Sequence, residues 1–237
     1  MPPRLPMTVA FDLDGTLVDT APDLAAALNH ALAALGRPPV PAESVRAMVG
    51  QGARRLLERG LSATGPQEAI PELVAQGLPL FLAHYRANIA AMSRPFPGAA
   101  AVLDWLAGEG VRLAVCTNKP EALALALLDA IGWRARFAAV LGADSRPWRK
   151  PDPRHLIDTL AAAGGATAAS VYVGDSATDS ETARAARVPF VLVTHGYSEI
   201  PHAEIAADAR IDGFAALEGA LAALHARFTG EDATARP

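Results

Sequence analysis

Five short apolar runs constrain what this chain can fold into more than any other feature. They are Thr8–Phe11, Val111–Cys116, Ala138–Leu141, Val171–Val173 and Phe190–Val193. Each ends in a polar or glycine-rich turn: Asp12, Thr117-Asn118, Gly142-Ala-Asp144, Gly174-Asp175 and Thr194-His-Gly196. Apolar strands separated by helical patterns predict βαβ units, hence a Rossmann-like α/β core built on a parallel sheet. In such a sheet, ligands bind beyond the carboxyl ends of the strands. Asp12, Thr117, Asn118 and Asp175 all stand at such ends, so one crevice is expected to gather them.

The spacing breaks once. Roughly a hundred residues separate the first two runs, far more than one crossover needs. Pro22–Leu35, Ala53–Leu61 and Glu68–Ala91 have helical periodicity, the last with a break expected at Gly77 and Pro79. Residues 18–95 therefore read as an all-helical domain inserted after the first strand. Residues 1–17 and 96–237 form the core domain, with hinges near Val18–Thr20 and Arg94–Gly98. The tail Thr229–Pro237 is polar and expected to fray.

Composition excludes several classes. Hydrophobic residues make up 51% of the 237, enough for a buried core. The net charge of −4 offers no basic field for nucleic acid. The first residues carry no apolar signal segment, and no run is long enough to span a membrane. A cytoplasmic protein with neither nucleic-acid nor membrane partners is expected. The single cysteine, Cys116, rules out an intramolecular disulfide and reads as a buried thiol. The six histidines form no metal-ligand spacing; His195, just after a strand, is the one nearest the expected crevice.

The first strand runs into Asp12-Leu-Asp14-Gly15-Thr16. Two carboxylates two residues apart in extended chain point the same way. Such a pair can divide nucleophile and proton donor between them, and it suits a hard cation such as Mg²⁺. Gly174-Asp175-Ser176-Ala-Thr-Asp179 places two more carboxylates after another strand, although helix capping alone would also use Asp175 or Ser176. Only two of the 21 basic residues are lysines, Lys119 and Lys150, each followed by proline. Against an arginine-rich background, a retained lysine points to a need for a compact ammonium. Thr117, Asn118 and Lys150 together make a hydroxyl, an amide and an ammonium for a phosphate.

The ordered set Asp12-x-Asp14-Gly-Thr, Thr117-Asn118, Lys150-Pro-Asp-Pro and Gly174-Asp175-Ser-x-x-Asp179 resembles the haloacid dehalogenase superfamily of phosphohydrolases, from Val9 to about Tyr197. Val49-Gly-Gln-Gly52-Ala, Val115–Pro120 and Thr194–Ser198 most resemble its phosphoglycolate phosphatase branch. The resemblance makes the helical insertion a cap domain. It implies Mg²⁺-dependent hydrolysis of a small phosphate monoester, 2-phosphoglycolate first, through an aspartyl-phosphate. Asp12 would be the nucleophile and Asp14 the acid and base. Asp12, the Asp14 carbonyl and Asp175 would hold the metal, with Asp179 behind them. Thr117, Asn118 and Lys150 would hold the phosphate.

Thr16, Gly50, Gly52, Arg54 and Ser176 are candidate substrate or cap contacts. The Gly50–Arg55 helix entry could meet a carboxylate, and a plain helix start with solvated arginines fits it nearly as well. A sugar-phosphate phosphatase, a pyrophosphatase, a phosphosugar mutase, or an idle phosphate-binding regulatory module would share the core motifs. The sequence leaves monomer and homodimer open.

Overall fold

A computed structural model describes residues 5–66 and 69–229. Six strands form one parallel sheet: β1 (Thr8–Phe11), β4 (Arg112–Cys116), β5 (Ala139–Leu141), β6 (Ser170–Gly174), β7 (Phe190–Val193) and β8 (Ala209–Ile211). Their order is β5-β4-β1-β6-β7-β8, and every pairing is parallel. The chain runs leftward from β1 to β4 and β5, then crosses to β6 on the other side. The carboxyl end of β1 is thus the topological switch point, where a crevice must open.

The near-continuous apolar strands follow from burial on both faces. Odd-numbered residues such as Val9, Phe11, Val115, Val173 and Val193 pack beneath α5 (Ala99–Gly108), α6 (Glu121–Ala130) and α9 (Leu217–Thr229). Even-numbered residues such as Ala10, Ala114, Cys116, Tyr172 and Leu192 face α7 (Pro153–Ala162) and α8 (Ala177–Ala186). All five expected strands coincide with the apolar runs to within a residue at each end. β8 was not expected: Ala-Arg-Ile is an edge strand of three residues and carries no apolar run.

Between β1 and α5 lie α1 (Ala21–Ala34), α2 (Ala42–Arg46), α3 (Ala53–Thr64) and α4 (Ile70–Ala87). They share a second hydrophobic cluster built on Leu28, Leu32, Leu57, Leu61, Val74 and Phe81. The expected break in α4 does not occur. Pro79 and Ala75, whose carbonyl loses its partner to the proline, both lie on the exposed face, so water can meet the freed group. Gly77 faces inward; a Cβ there would stand 2.8 Å from the Leu35 side chain, so this glycine permits close helix packing. The two expected hinges pair with each other: β2 (Val18–Asp19) lies antiparallel to β3 (Arg94–Pro95). Both strands of the connection between helices and sheet are therefore one ribbon.

No helix among the described residues is long and apolar enough to cross a membrane. Residues 230–237 of the expected frayed tail, and Glu68 at the start of the third helical pattern, lie outside the described residues.

Candidate active site

The switch point gathers Asp12, Asp14, Thr117, Asn118, Lys119, Lys150 and Asp175, each from a strand end or the loop that follows it, and Asp179 from the first turn of α8. Gly15 makes this possible. It takes φ +84°, and a Cβ there would overlap the Asp175 carboxylate. The first and last carboxylate motifs can touch only across a glycine.

Asp12, Asp175 and Asp179 each bring a carboxylate oxygen within 4.8 Å of one another, all buried. Three like charges at that spacing fit a hard divalent cation with oxygen ligands. The charges also fit such a cation electrostatically. Burial, opposed by the Lys150 ammonium but reinforced by the charges of Asp179 and Asp14, pushes Asp12 up to about 7. Burial and the charges of Asp179 and Asp12 push Asp175 well above the usual carboxylate range. A cation between them would relieve both. Asp175 is fixed in place by Thr16 Oγ1, which donates to Oδ1 at 2.7 Å, and by the Tyr197 N–H, which donates to Oδ2 at 2.6 Å.

Asp179 is engaged differently. It accepts from Lys150 Nζ at 2.7 Å, the Tyr172 hydroxyl at 2.7 Å, Ser176 Oγ at 2.6 Å and the Ser176 N–H at 3.1 Å. Burial opposes ionisation, yet the Lys150 charge and these hydrogen bonds hold Asp179 below the usual range. The capping reading of this motif also holds: Ser176 caps α8, and Asp179 closes the capping box. The cap is what aims the Asp179 carboxylate at Lys150.

Lys150 is 2% exposed; its Nζ donates to Asp179 and to the Tyr172 hydroxyl at 2.9 Å, and it stands 3.0 Å from Asp12 Oδ1 as an ion pair. Its peptide bond to Pro151 is cis. Behind it, buried His155 donates from Nε2 to the Gly142 carbonyl, and Cys116 Sγ lies 3.7 Å from His155 Nδ1. Burial pushes the Cys116 thiol up to about 12, so it stays protonated.

Asp14 turns away from the acidic cluster. Its Oδ1 accepts from Thr20 Oγ1 at 2.7 Å and from Lys119 Nζ at 2.9 Å. Lys119 Nζ also donates to the Tyr85 hydroxyl at 2.5 Å. The motifs give Lys119 no role, although lysine scarcity singles it out. Tyr85 and Tyr172 gave no signal at all, since an aromatic in an apolar helix or strand reads as core.

Two cavities adjoin the site. One, of about 40 Å³, is lined by Asp12, Asp14, Thr117, Lys119, Tyr85 and the apolar side chains of α1, α3 and α4. The other is a polar groove of about 650 Å³ that includes Lys150, Ser176, Arg54, Arg55 and Arg149. Val49, Gly50 and Asn118 border both. Asn118 Nδ2 donates to the carbonyls of Lys150 at 3.1 Å and Gly50 at 3.4 Å, tying the helical segment to the sheet. Gly52 takes φ +88°, with the Asn118 carbonyl 3.2 Å from where a Cβ would stand, so close approach explains this glycine. Arg54 lines the groove rather than the small cavity, 59% exposed and 3.8 Å from Glu58. His195 serves as a support: its Nε2 donates to the Thr16 carbonyl at 3.1 Å.

Residues 6–187 match the family model of haloacid dehalogenase-like hydrolases. The chain is 50% identical over 210 residues to a phosphoglycolate phosphatase of Caulobacter vibrioides, covering 87% of each. It is 46% identical over 220 residues to a phosphoglycolate phosphatase of Agrobacterium fabrum, covering 92% of this chain and 93% of the relative. Among solved structures, a predicted phosphoglycolate phosphatase from Haemophilus somnus superposes with a TM-score of 0.82 at 30% identity, over 92% of this chain and 98% of that one.

Proposed function

The chain belongs to the haloacid dehalogenase-like hydrolases, and on that premise we propose that it is a Mg²⁺-dependent phosphatase hydrolysing 2-phosphoglycolate to glycolate and phosphate. The observation that carries the chemistry is the parting of two carboxylates from one turn. Asp12 joins Asp175 and Asp179 in the acidic cluster, while Asp14 turns out of it toward Lys119 and Thr20. One group is placed to attack and the other to move a proton. For the substrate, the support is the naming of relatives at 46–50% identity and the small cavity. Its 40 Å³ has room for about three waters, a volume that suits a two-carbon group.

In this reading Asp12 Oδ attacks phosphorus, the P–O bond to glycolate breaks, and the phosphoryl group becomes an aspartyl-phosphate. Asp14 gives its proton to the departing alkoxide. It then takes a proton from the water that attacks the phosphorus of the aspartyl-phosphate, which regenerates Asp12 and releases phosphate. Thr117, the Asn118 backbone and Lys150 hold the phosphoryl oxygens, and Lys150 also offsets repulsion between Asp12 and the dianion. Asp12, Asp175 and the Asp14 carbonyl would hold Mg²⁺, which supplies charge neutralisation on the phosphoryl oxygens when bound. Asp179 stands behind them and fixes Lys150. Residues 18–95 act as the cap, hinged on the β2–β3 ribbon, and residues 1–17 with 96–237 as the catalytic core. Closure of the cap excludes water from the small cavity.

Phosphate release tests this on 2-phosphoglycolate, glucose 6-phosphate, pyrophosphate and an aryl phosphate, with Mg²⁺ and with chelator. Asp12→Asn is expected to abolish turnover of all of them. Asp14→Asn is expected to cost about 10²–10⁴-fold on 2-phosphoglycolate. On the aryl phosphate, whose leaving group needs no proton, the first release of the phenol should be nearly spared, while steady turnover still falls because Asp14 also activates the water of the second step. Turnover that survives chelation sinks the metal site; preference for another ester sinks the substrate.

A further inference from the structure

The acidic cluster and Lys150 account for a phosphate. They do not account for Lys119, the second of only two lysines in the chain. Its side chain is 3% exposed, yet it lines the small cavity that Asp12 also lines. A buried ammonium is costly unless all its donors are met. Among the described residues, two groups accept from it: the Asp14 carboxylate and the Tyr85 hydroxyl. An ammonium has three donors. Lys150 hydrogen-bonds Asp179 and the Tyr172 hydroxyl and forms an ion pair with Asp12. Lys119 spreads its contact with Asp14 over both carboxylate oxygens, at 2.9 and 3.2 Å, so the longer bond can be exchanged for an anion that enters the cavity.

Beyond Asp12, Asp14, Thr117, Asn118 and Tyr85, the lining of that cavity is apolar, with Leu24, Leu56 and Phe81 from the helical segment and Leu123 from α6. In such surroundings a charge pair is far stronger than in water, and a neutral group gains nothing comparable from the ammonium. The arginines that might otherwise serve lie elsewhere: Arg54 and Arg55 line the outer groove and pair with Glu58. Among the described residues, Lys119 is the only cationic side chain on the small cavity's wall.

We propose that Lys119 Nζ, with the Tyr85 hydroxyl beside it, is the subsite that receives the carboxylate of the substrate and so selects phosphorylated short acids over neutral phosphate esters. This rests on the phosphatase reading above and deepens it. It also makes the subsite a joint one. Lys119 follows β4 in the core, whereas Tyr85 stands on α4, so the pair is complete only with the helical segment seated on the sheet. A substrate carboxylate held there would bridge the two parts. It would also share the ammonium with Asp14, placing the acid-selecting group next to the group that moves the proton.

The test compares 2-phosphoglycolate with 2-hydroxyethyl phosphate, which has the same length and a neutral end. Wild type is expected to prefer the acid in kcat/KM. Lys119→Met should cut that preference on the order of 100-fold, the size of a lost charge-assisted contact. The loss should fall mainly in KM, as expected for binding shared by ground and transition states. Tyr85→Phe, which keeps the ring and the packing, should cut the preference about tenfold, and it carries the test if Lys119→Met does not fold. A preference that survives both variants overturns the subsite. So does an equal fall on both esters through kcat, which would make Lys119 a positioning residue for Asp14 alone and leave the substrate reading standing. A wild type without preference for the acid overturns the substrate reading, and the subsite with it.

Discussion

The two lysines of this chain sit at the ends of neighbouring strands and meet different fates. Lys150 is surrounded by Asp12, Asp179 and the Tyr172 hydroxyl, all supplied by the sheet, its loops and the first turn of α8. Lys119 pairs with Asp14 from the sheet and Tyr85 from a helix of the inserted segment. The first site is complete without the insertion; the second is not. A site finished within the sheet can hold the constant part of a substrate, the phosphate. A site finished by the insertion can vary with the rest of the molecule.

The largest effect that would break this comparison is Lys150→Met. It leaves Asp12 and Asp179 buried without their cation, which should cost about 3–5 kcal/mol of stability and at least ~10³-fold in turnover. Lys119→Met should cost clearly less stability, because Asp14 is only half-buried and retains Thr20. Urea unfolding of both variants measures the difference, and equal costs would erase the distinction.

Acid sharpens the comparison from the Lys150 side. Burial, then the Lys150 charge, pushes His155 down to about 4 from an ordinary value near 6.5. The folded state therefore declines a proton that the unfolded chain accepts. Stability from this group is intact above pH ~6.5 and is lost as pH falls toward 4, by up to about 3 kcal/mol. His155→Gln should flatten this limb in urea midpoints taken at pH 7 and pH 4.5. An unchanged slope would mean that the acid sensitivity lies elsewhere.

The smallest effect concerns the hinge. The Tyr197 hydroxyl accepts from the Ala21 N–H at 2.9 Å and bonds Asp19, while the Tyr197 N–H holds Asp175. Tyr197→Phe keeps the backbone contact and loses the hydroxyl. It should cost about 1–2 kcal/mol in unfolding. Turnover of 2-phosphoglycolate should fall less than tenfold, with the aryl phosphate nearly unaffected. A larger loss on the aryl phosphate would place the hydroxyl's role in the sheet rather than at the hinge.

Much of the fold was legible because strand burial is written locally. A strand covered on both faces must be apolar where it is covered; β7 is so throughout, and β1, β4 and β6 are so after a polar first residue. β8 was not legible, since a three-residue edge strand can read Ala-Arg-Ile and still pair with β7. Nor was the continuity of α4 through Pro79, which depends on which face of the helix meets water. At the site, Asp12, Asp14, Asp175 and Lys150 could be found from motif and spacing. Tyr85, Tyr172 and the role of Lys119 could not. Nothing local separates a tyrosine that packs from one that also gives its hydroxyl to a buried charge.

The sequence by itself determined that carboxylates, a hydroxyl, an amide and lysines stand at the carboxyl ends of parallel strands, because strand-to-turn transitions are local events. It also marked the long helical stretch between the first two strands of the sheet, through the break in strand spacing. Only the tertiary structure decided which carboxylate meets which lysine, and which lysine lines the small cavity. Those pairings join residues far apart in the chain, 105 positions for Asp14 and Lys119 and 34 for Lys119 and Tyr85. Their strength depends on burial, which arises only when sheet and helices close around them.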